Sequence, residues 1–543
     1  MRIERFRWAN SQPLTRDYID DFAKVSALYE YNPWDKDSDR KRALWLDRDD
    51  RPQADRDELV KVLEQFNRSV GNSSEAMDNI KALANKETLA VVGGQQAGLF
   101  SGPLLALYKA ITLIAEARNA ERLLGRRVVP VFWIAGEDHD IDEVNHTYLL
   151  TDELKVQRVR LNAEPEKRSS VSQWHVPQEA WEDAISQLDA ALMNTEFKPD
   201  LLSILRSVCE SSATLSDQFA RLMARWFGRY GLILVDSDDP GLRRLESAMF
   251  RQLADRNREL SETLLAAKEN LESSGYSAQV EILPEQAHLF VHHDGERLPL
   301  HMQGERYTDR KGRVDFSAES LLALAESEPE KLSNNVMTRP LMQDYLFPVL
   351  STVLGPSEIA YWGLLREAFQ LFGLQMPILV PRFEFTLLEG TVQKQMDKFG
   401  LDFEDVIFRL DSKKEDWLKA QGSLKVEELF AETKKKFSDL YAPVVEQVAA
   451  INPGLRKLGE TNMQKMLDQI SFLEAKASDA FRSQHDAALR HWERIRLSVL
   501  PNGRPQERVF NVCHYWNKYG ERWLDALAEL PLERDGMHRI VYF

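Results

Sequence analysis

Apolar residues gather in a few short, continuous stretches, and each stretch ends in glycine or acid. Residues 88–94 (TLAVVGG) form a β-prone run that stops at paired glycines, which predicts a buried strand leading into a turn. After 95–103, the apolar side chains of 104–118 recur at helical spacing. The unit then repeats. Residues 128–134 (VVPVFWI) predict a second strand with Gly136, Glu137, Asp138, His139 and Asp140 just beyond it, and 231–235 (GLILV) predict a third. The acidic turn 236–240 follows the third strand and opens a long helix from Gly241 to about Asn270, with Ser and Asp as caps and Pro240 suited to the first turn. Continuous apolar strands alternating with helices define an α/β protein with a parallel, doubly wound sheet.

Two stretches break this rhythm. Residues 154–176 and 278–300 alternate apolar and polar positions, which predicts small β-containing insertions at about 150–200 and 276–315, together forming one subdomain. From 389 to 500 the chain becomes charge-rich and nearly glycine-free. Apolar residues from Met463 to Val499 recur there in steps near three and four. That pattern predicts an antiparallel coiled-coil hairpin, bent near Asn452-Pro453-Gly454 and suited to pairing two copies as a homodimer. Pro501-Asn502-Gly503 ends the helix, so the expected division is a core at 1–388, a helical domain at 389–500 and a segment 501–543 that returns to the core.

Charge narrows the partners. The net charge of -16 repels phosphate backbones and anionic lipid, so neither nucleic acid nor a membrane is an expected partner. Any anionic substrate must be met by a local cluster of cations or N–H groups. Two cysteines in 543 residues, Cys209 and Cys513, make a thin disulfide framework, and the first residues carry no secretory pattern. A reducing cytoplasm is the expected compartment. Both cysteines sit in apolar surroundings and are read as packing.

Ligands of parallel sheets bind where the strands end, so the loops after the three strands are expected to converge. In the first loop, glycines including Gly98 free the backbone to approach a ligand, with Gln95, Gln96 and Ser101 as polar groups; a tight turn that needs glycine is the other reading. Lys109, two turns into an apolar helix, reads as a snorkelling or structurally paired cation before a catalytic one. In the second loop His139, flanked by Asp138 and Asp140, is the candidate general base for an attacking amine, its basicity raised by those neighbours, and Asn145 lies in the same loop. A solvated, capped junction is the plainer alternative. The spacing of His139 and His146 fits no standard ligand pattern, so no metal is expected. Asp236 could face the crevice or cap a helix. Asn335 and Arg339 could grip a carboxylate or form a structural Arg–Asp pair, and Arg382 is a second anion-binding candidate.

Several long motifs occur in order: GGQQAGLFSGPL at 93–104, VPVFWIAGEDHDIDEVNH at 129–146, DSDDPGLRRLE at 236–246, SNNVMTRPLMQDYLFPVL at 333–350, GPSEIAYWG at 355–363 and QERVFN at 506–511. Together they resemble the bacillithiol biosynthesis cysteine-adding enzymes over nearly the whole chain. The resemblance implies a Rossmann-like core related to nucleotidylyltransferases and class I synthetases, an inserted connecting-peptide subdomain and a coiled coil that dimerises. It also implies L-cysteine and glucosaminyl-malate as substrates, joined through an amide in the last step of making bacillithiol. An amide does not form usefully from a free carboxylate in water, so ATP or another nucleotide is the expected activator. The first loop lacks the paired histidines with which those relatives hold ATP phosphates. The rival readings are a nucleotidylyltransferase or amide ligase acting on another small acid, and a non-enzymatic scaffold built on the coiled coil.

Overall fold

The computed structural model describes residues 2–8 and 10–543, with the backbone alone for 423–425. The chain divides into two compact units. The first comprises residues 1–387 and 504–541, the second residues 388–503 with 542–543.

A five-stranded sheet forms the centre of the first unit. Its spatial order is Ile378–Pro381, Val349–Leu354, Leu89–Gln95, Val128–Ile134 and Ile233–Asp236, with every neighbouring pair parallel. Numbered along the chain, that order is the 3-2-1-4-5 of dinucleotide-binding folds, with its reversal between the Leu89 and Val349 strands. Both faces are covered. Ala90, Val92, Val129 and Trp133 share one core with Leu59, Leu63, Leu242 and Leu341, while helix Leu105–Leu124 packs on the other side.

Gly93 and Gly94 lie inside the first strand, not in a turn after it. A Cβ at Gly93 would stand 3.0 Å from the Val353 carbonyl, and one at Gly94 3.0 Å from that of Trp133. Close strand packing therefore asks for both glycines. The Val349 and Ile378 strands are absent from the sequence expectation, because a short apolar run reads equally as buried helix or buried strand. The long helix after the third strand is two, Pro240–Asp255 and Asn257–Ser273, broken where Arg256 leaves helical geometry (φ -102°, ψ 24°). Asp239 caps the first of them, accepting from the Leu242 N–H at 3.0 Å, and Pro240 stands in its first turn.

The β-containing insertions lie in two sheets instead of one. His146–Leu150 pairs with Val156–Arg160 alone. An antiparallel sheet orders Asp315–Ser317, Arg306–Thr308, Glu296–Gln303, Gln286–His293 and Leu332–Asn334, and residues 276–285 run into it without joining a strand. The Arg297 N–H donates to the Arg168 carbonyl at 3.1 Å, tying the two regions together.

In the second unit, helices Ser423–Ile451 and Arg456–Gln484 pack against each other as an antiparallel hairpin. The bend is where the asparagine, proline and glycine predict it, with the Asn452 side chain accepting from the Gly454 N–H at 2.9 Å. The returning helix stops at His485, and Asp486–Val499 is separate, burying Trp492, Ile495 and Val499. No helix among the described residues is long and apolar enough to cross a membrane.

Candidate active site

A cavity of about 820 Å³ in the first unit lies at the carboxyl ends of the strands, where their order reverses. Gln95 and Gln96 reach it from the first strand, Glu137, Asp138 and His139 from the second, Glu358 from the Val349 strand and Arg382 from the Ile378 strand. His288, Phe290, Arg297 and His301 of the antiparallel sheet line it too, with Asn335 and Arg339 beside them. Its volume suits a ligand the size of a sugar acid together with an amino acid.

The third strand's loop does not reach this cavity, because that strand sits at the sheet edge, two places from the reversal. Asp236 is committed elsewhere: it accepts from the Ser172 hydroxyl at 2.5 Å and the Asp238 N–H at 3.0 Å, and burial pushes its carboxyl up to about 7. Gly136 makes this junction possible, since a Cβ there would lie 1.9 Å from Ser172 Oγ.

The first loop also differs from expectation. Four of its N–H groups are already used: Gly98 donates to the Gln96 carbonyl, Phe100 to Gln218 Oε1, Gly102 to the Leu99 carbonyl and Leu104 to the Phe510 carbonyl. Asn511 then clamps the loop from the C-terminal segment, donating to the Phe100 and Gly102 carbonyls at 2.9 and 2.7 Å. Phe100 and Ser101 hold left-handed conformations (φ 51° and 76°), which this clamp stabilises. Gly98 and Ser101 therefore serve packing away from the cavity. Asn145 is fully buried, its carbonyl accepting from the Leu161 N–H at 2.8 Å, and Asp140 lies outside the cavity wall.

The three cations named from sequence do reach the cavity, in different states. Lys109 Nζ donates at 2.6 Å to both the Gly94 carbonyl and Glu358 Oε2. Burial works against the Glu358 carboxylate, but Lys109 and Arg339 hold it below its ordinary range. Arg382 forks onto Glu507 at 2.9 and 2.5 Å, with both side chains buried. Arg339 is different: its Nη2 meets the Tyr361 hydroxyl at 2.7 Å, and among the described residues no carboxylate lies within 4.0 Å of it. The structural Arg–Asp pair is not formed. Arg339 is the cation left with capacity for a ligand.

His139 reverses the expected basicity. Burial first, then the nearby Arg297 and Arg168, push its pKa down to about 4, outweighing Asp138 and Asp140. Arg297 Nη1 lies 3.0 Å from His139 Nδ1, and the same guanidinium bonds Ser333 Oγ at 2.9 Å and the Asn334 carbonyl at 2.5 Å over the face of Phe290. His288 adjoins this group, with Asn335 Nδ2 at 3.1 Å from its Nδ1. Below them Glu137 accepts from Arg243 at 2.6 Å and from the Asn334 N–H at 3.2 Å. Gln96 Nε2 spans Asp138 at 2.5 Å and Glu143 at 2.7 Å. Among the described residues no hydrogen bond joins the Gln95 side chain to its surroundings.

Arg297, His288, His301, Arg310 and Arg508 are cavity residues that the sequence analysis does not select. The only signal is a local density of histidine and arginine at 286–303. Cys209 and Cys513 are buried free thiols away from the cavity, and burial pushes Cys209 up to about 12 and Cys513 higher, which makes both poor nucleophiles.

Fold and cavity together define a Rossmann-type enzyme with a helical coiled-coil domain. The N-terminal Rossmann-like domain of bacillithiol biosynthesis BshC matches residues 1–383, and the C-terminal coiled-coil domain of BshC matches residues 385–543. A Geobacillus sp. (strain WCH70) protein named "Putative cysteine ligase BshC" is 37% identical over 547 residues, covering 100% of both chains. Proteins of the same name from Bacillus cytotoxicus and Bacillus cereus (strain AH187) are 37% and 36% identical over 487 residues, covering 90% of each chain. The chain belongs to the BshC family of bacillithiol biosynthesis. It is an enzyme that forms a C–N bond.

Proposed function

We propose that the enzyme joins the carboxyl of L-cysteine to the amine of glucosaminyl-malate, the last step of bacillithiol formation. The observation that carries this reading is Arg339, a guanidinium with no carboxylate within 4.0 Å among the described residues, at the strand-order reversal of a cavity sized for both substrates. A planar fork of that kind suits a carboxylate of malate. His139 faces the Arg297 guanidinium through Nδ1 and carries its proton on Nε2, so it has no free lone pair for the amine's proton, and the Asp138 carboxylate beside it is the acceptor as the C–N bond forms. Gln95 supplies an uncommitted amide to orient the sugar.

The cysteine carboxyl needs a leaving group, which ATP or another nucleotide would supply. Residues 97–103 of the first loop lie outside the cavity lining, so phosphates would be held by side chains, and the exposed cavity residues Arg310 and Arg508 are of the right kind. The purified chain given L-cysteine, glucosaminyl-malate and a nucleotide is expected to yield a product of amide mass in mass spectrometry. No such product with any nucleotide sinks the assignment.

The hairpin of the second unit exposes Leu440, Ile451, Leu458, Met466 and Phe472 at 45–83% of their surface. Apolar area of that kind calls for a partner, and we infer a second copy of this chain, making a homodimer. Sedimentation is expected to give twice 62.6 kDa, and Ile451→Glu with Leu458→Glu to give the single-chain mass. A monomeric parent protein refutes the dimer. The reaction belongs in the cytoplasm, where both free thiols stay reduced.

A further inference from the structure

Of the three histidines that line the cavity, His139 and His288 each spend Nδ1 on a neighbour whose role in the hydrogen bond is fixed by chemistry. The partner of His139 is Arg297, 3.0 Å from Nδ1. A guanidinium can only donate, so His139 Nδ1 must accept and its proton must sit on Nε2. The partner of His288 is Asn335, whose amide is oriented by its own bonds: Oδ1 accepts from the Met337 N–H at 2.9 Å and the Thr338 N–H at 3.0 Å. That leaves Nδ2, a donor, facing His288 Nδ1 at 3.1 Å. The second imidazole is therefore also bare at Nδ1 and protonated at Nε2.

The two arrangements have one anchor. Arg297 is held by Ser333 Oγ and the Asn334 carbonyl, and Asn335 is the next residue. His288 is buried, its Nε2 has no partner among the described residues, and its backbone is held at φ 55° where the strand pairing is interrupted. A buried donor without a partner and a left-handed histidine are both costly, which fits a group held ready for a ligand.

We propose that Arg297 and Asn335 are positioning residues that lock His139 and His288 as neutral rings, each offering Nε2–H to a carboxylate or oxyanion oxygen of the substrate. This rests on the ligase reading above and deepens it: the imidazoles stabilise negative charge on oxygen where the C–N bond forms, and they do not carry protons away. The charged groups around His139 are Arg297, Arg168, Asp138 and Asp140, and the balance favours the neutral ring. Around His288 burial alone acts, pushing its pKa down to about 4.

Asn335→Asp tests the lock with little structural change, because a carboxylate oxygen still accepts from Met337 and Thr338. Its other oxygen can only accept, which moves the His288 proton to Nδ1 and leaves Nε2 bare. Ring-nitrogen NMR of the ¹⁵N-histidine-labelled full chain is expected to show His139 and His288 as Nε2–H between pH 5.5 and 8. In Asn335→Asp, His288 is expected to switch to Nδ1–H and titrate, while kcat for amide formation falls about 100-fold with KM changed far less. In Arg297→Met, His139 is expected to begin titrating above pH 5. A native His288 protonated on Nδ1, or a switched His288 with unimpaired kcat, overturns the proposal. Should the native enzyme form no amide, the ligase reading fails separately. L-malate added to the labelled protein then decides this one: it must shift the Nε2–H signals in the native protein and not that of His288 in Asn335→Asp.

Discussion

Arg339→Met is expected to lower kcat/KM for glucosaminyl-malate by about 10²–10³-fold, mostly through KM, while leaving the stability of the enzyme nearly unchanged. The first half follows from what the guanidinium lacks. Among the described residues it hydrogen-bonds one neutral partner, the Tyr361 hydroxyl at 2.7 Å, and Glu358 and Glu137 act on it only through space, so its bonding fork stays open until a carboxylate arrives. A charge-assisted, two-pronged bond out of bulk water is the strongest polar contact the cavity can make with malate. The second half follows from what the substitution leaves behind. Removal strands no buried carboxylate, and the tyrosine hydroxyl can turn to water in the cavity. Arg339→Lys is expected to recover the charge but not the fork, and so to restore only part of the loss. Steady-state kinetics beside a denaturant titration checks both halves. A variant with unchanged KM for glucosaminyl-malate removes Arg339 from substrate binding.

The fold was legible wherever burial is one-sided or complete over enough residues to leave a period. Residues 128–134 are buried at every position, and the sequence marks the strand to its ends. The Val349 strand is just as buried, yet its apolar run adjoins the helix Arg339–Leu346, and periodicity cannot separate the two. The site was legible in part. Gln95, Gln96, Asp138, His139, Asn335 and Arg339 stand near the ends of central strands or in the motif beside them, and the cavity gathers all six. Asp236 stands at a strand end too but misses the cavity, because strand order in space decides which loops meet and nothing local in the chain encodes it. The state of each group was less legible again. His139 looks basic beside its acidic neighbours in sequence, and only the fold brings Arg297 from 158 residues away to reverse that.

Arg382 shows the same limit and gives the largest expected effect on stability. In the sequence it is an anion-binding candidate. In the folded enzyme it forks onto Glu507, 125 residues further on, with both side chains 2% exposed. Glu507 is also tied to the backbone, accepting from the Phe385 N–H at 3.3 Å. Arg382→Met is expected to destabilise the enzyme by about 3–5 kcal/mol, because it strands a buried carboxylate whose solvation cannot be recovered. That is a large part of the 5–15 kcal/mol typical of a folded domain. Glu507→Gln is expected to cost less, because the guanidinium keeps Glu384 at 3.5 Å and the Phe383 carbonyl at 3.0 Å. The double variant Arg382→Met with Glu507→Gln removes both charges at once, so it is expected to lose clearly less than the sum of the two single changes. Denaturant midpoints of the four proteins measure the coupling directly. If the single costs simply add, the pair is not what holds the C-terminal segment to the Ile378 strand, and Arg382 returns to the list of groups open to a substrate.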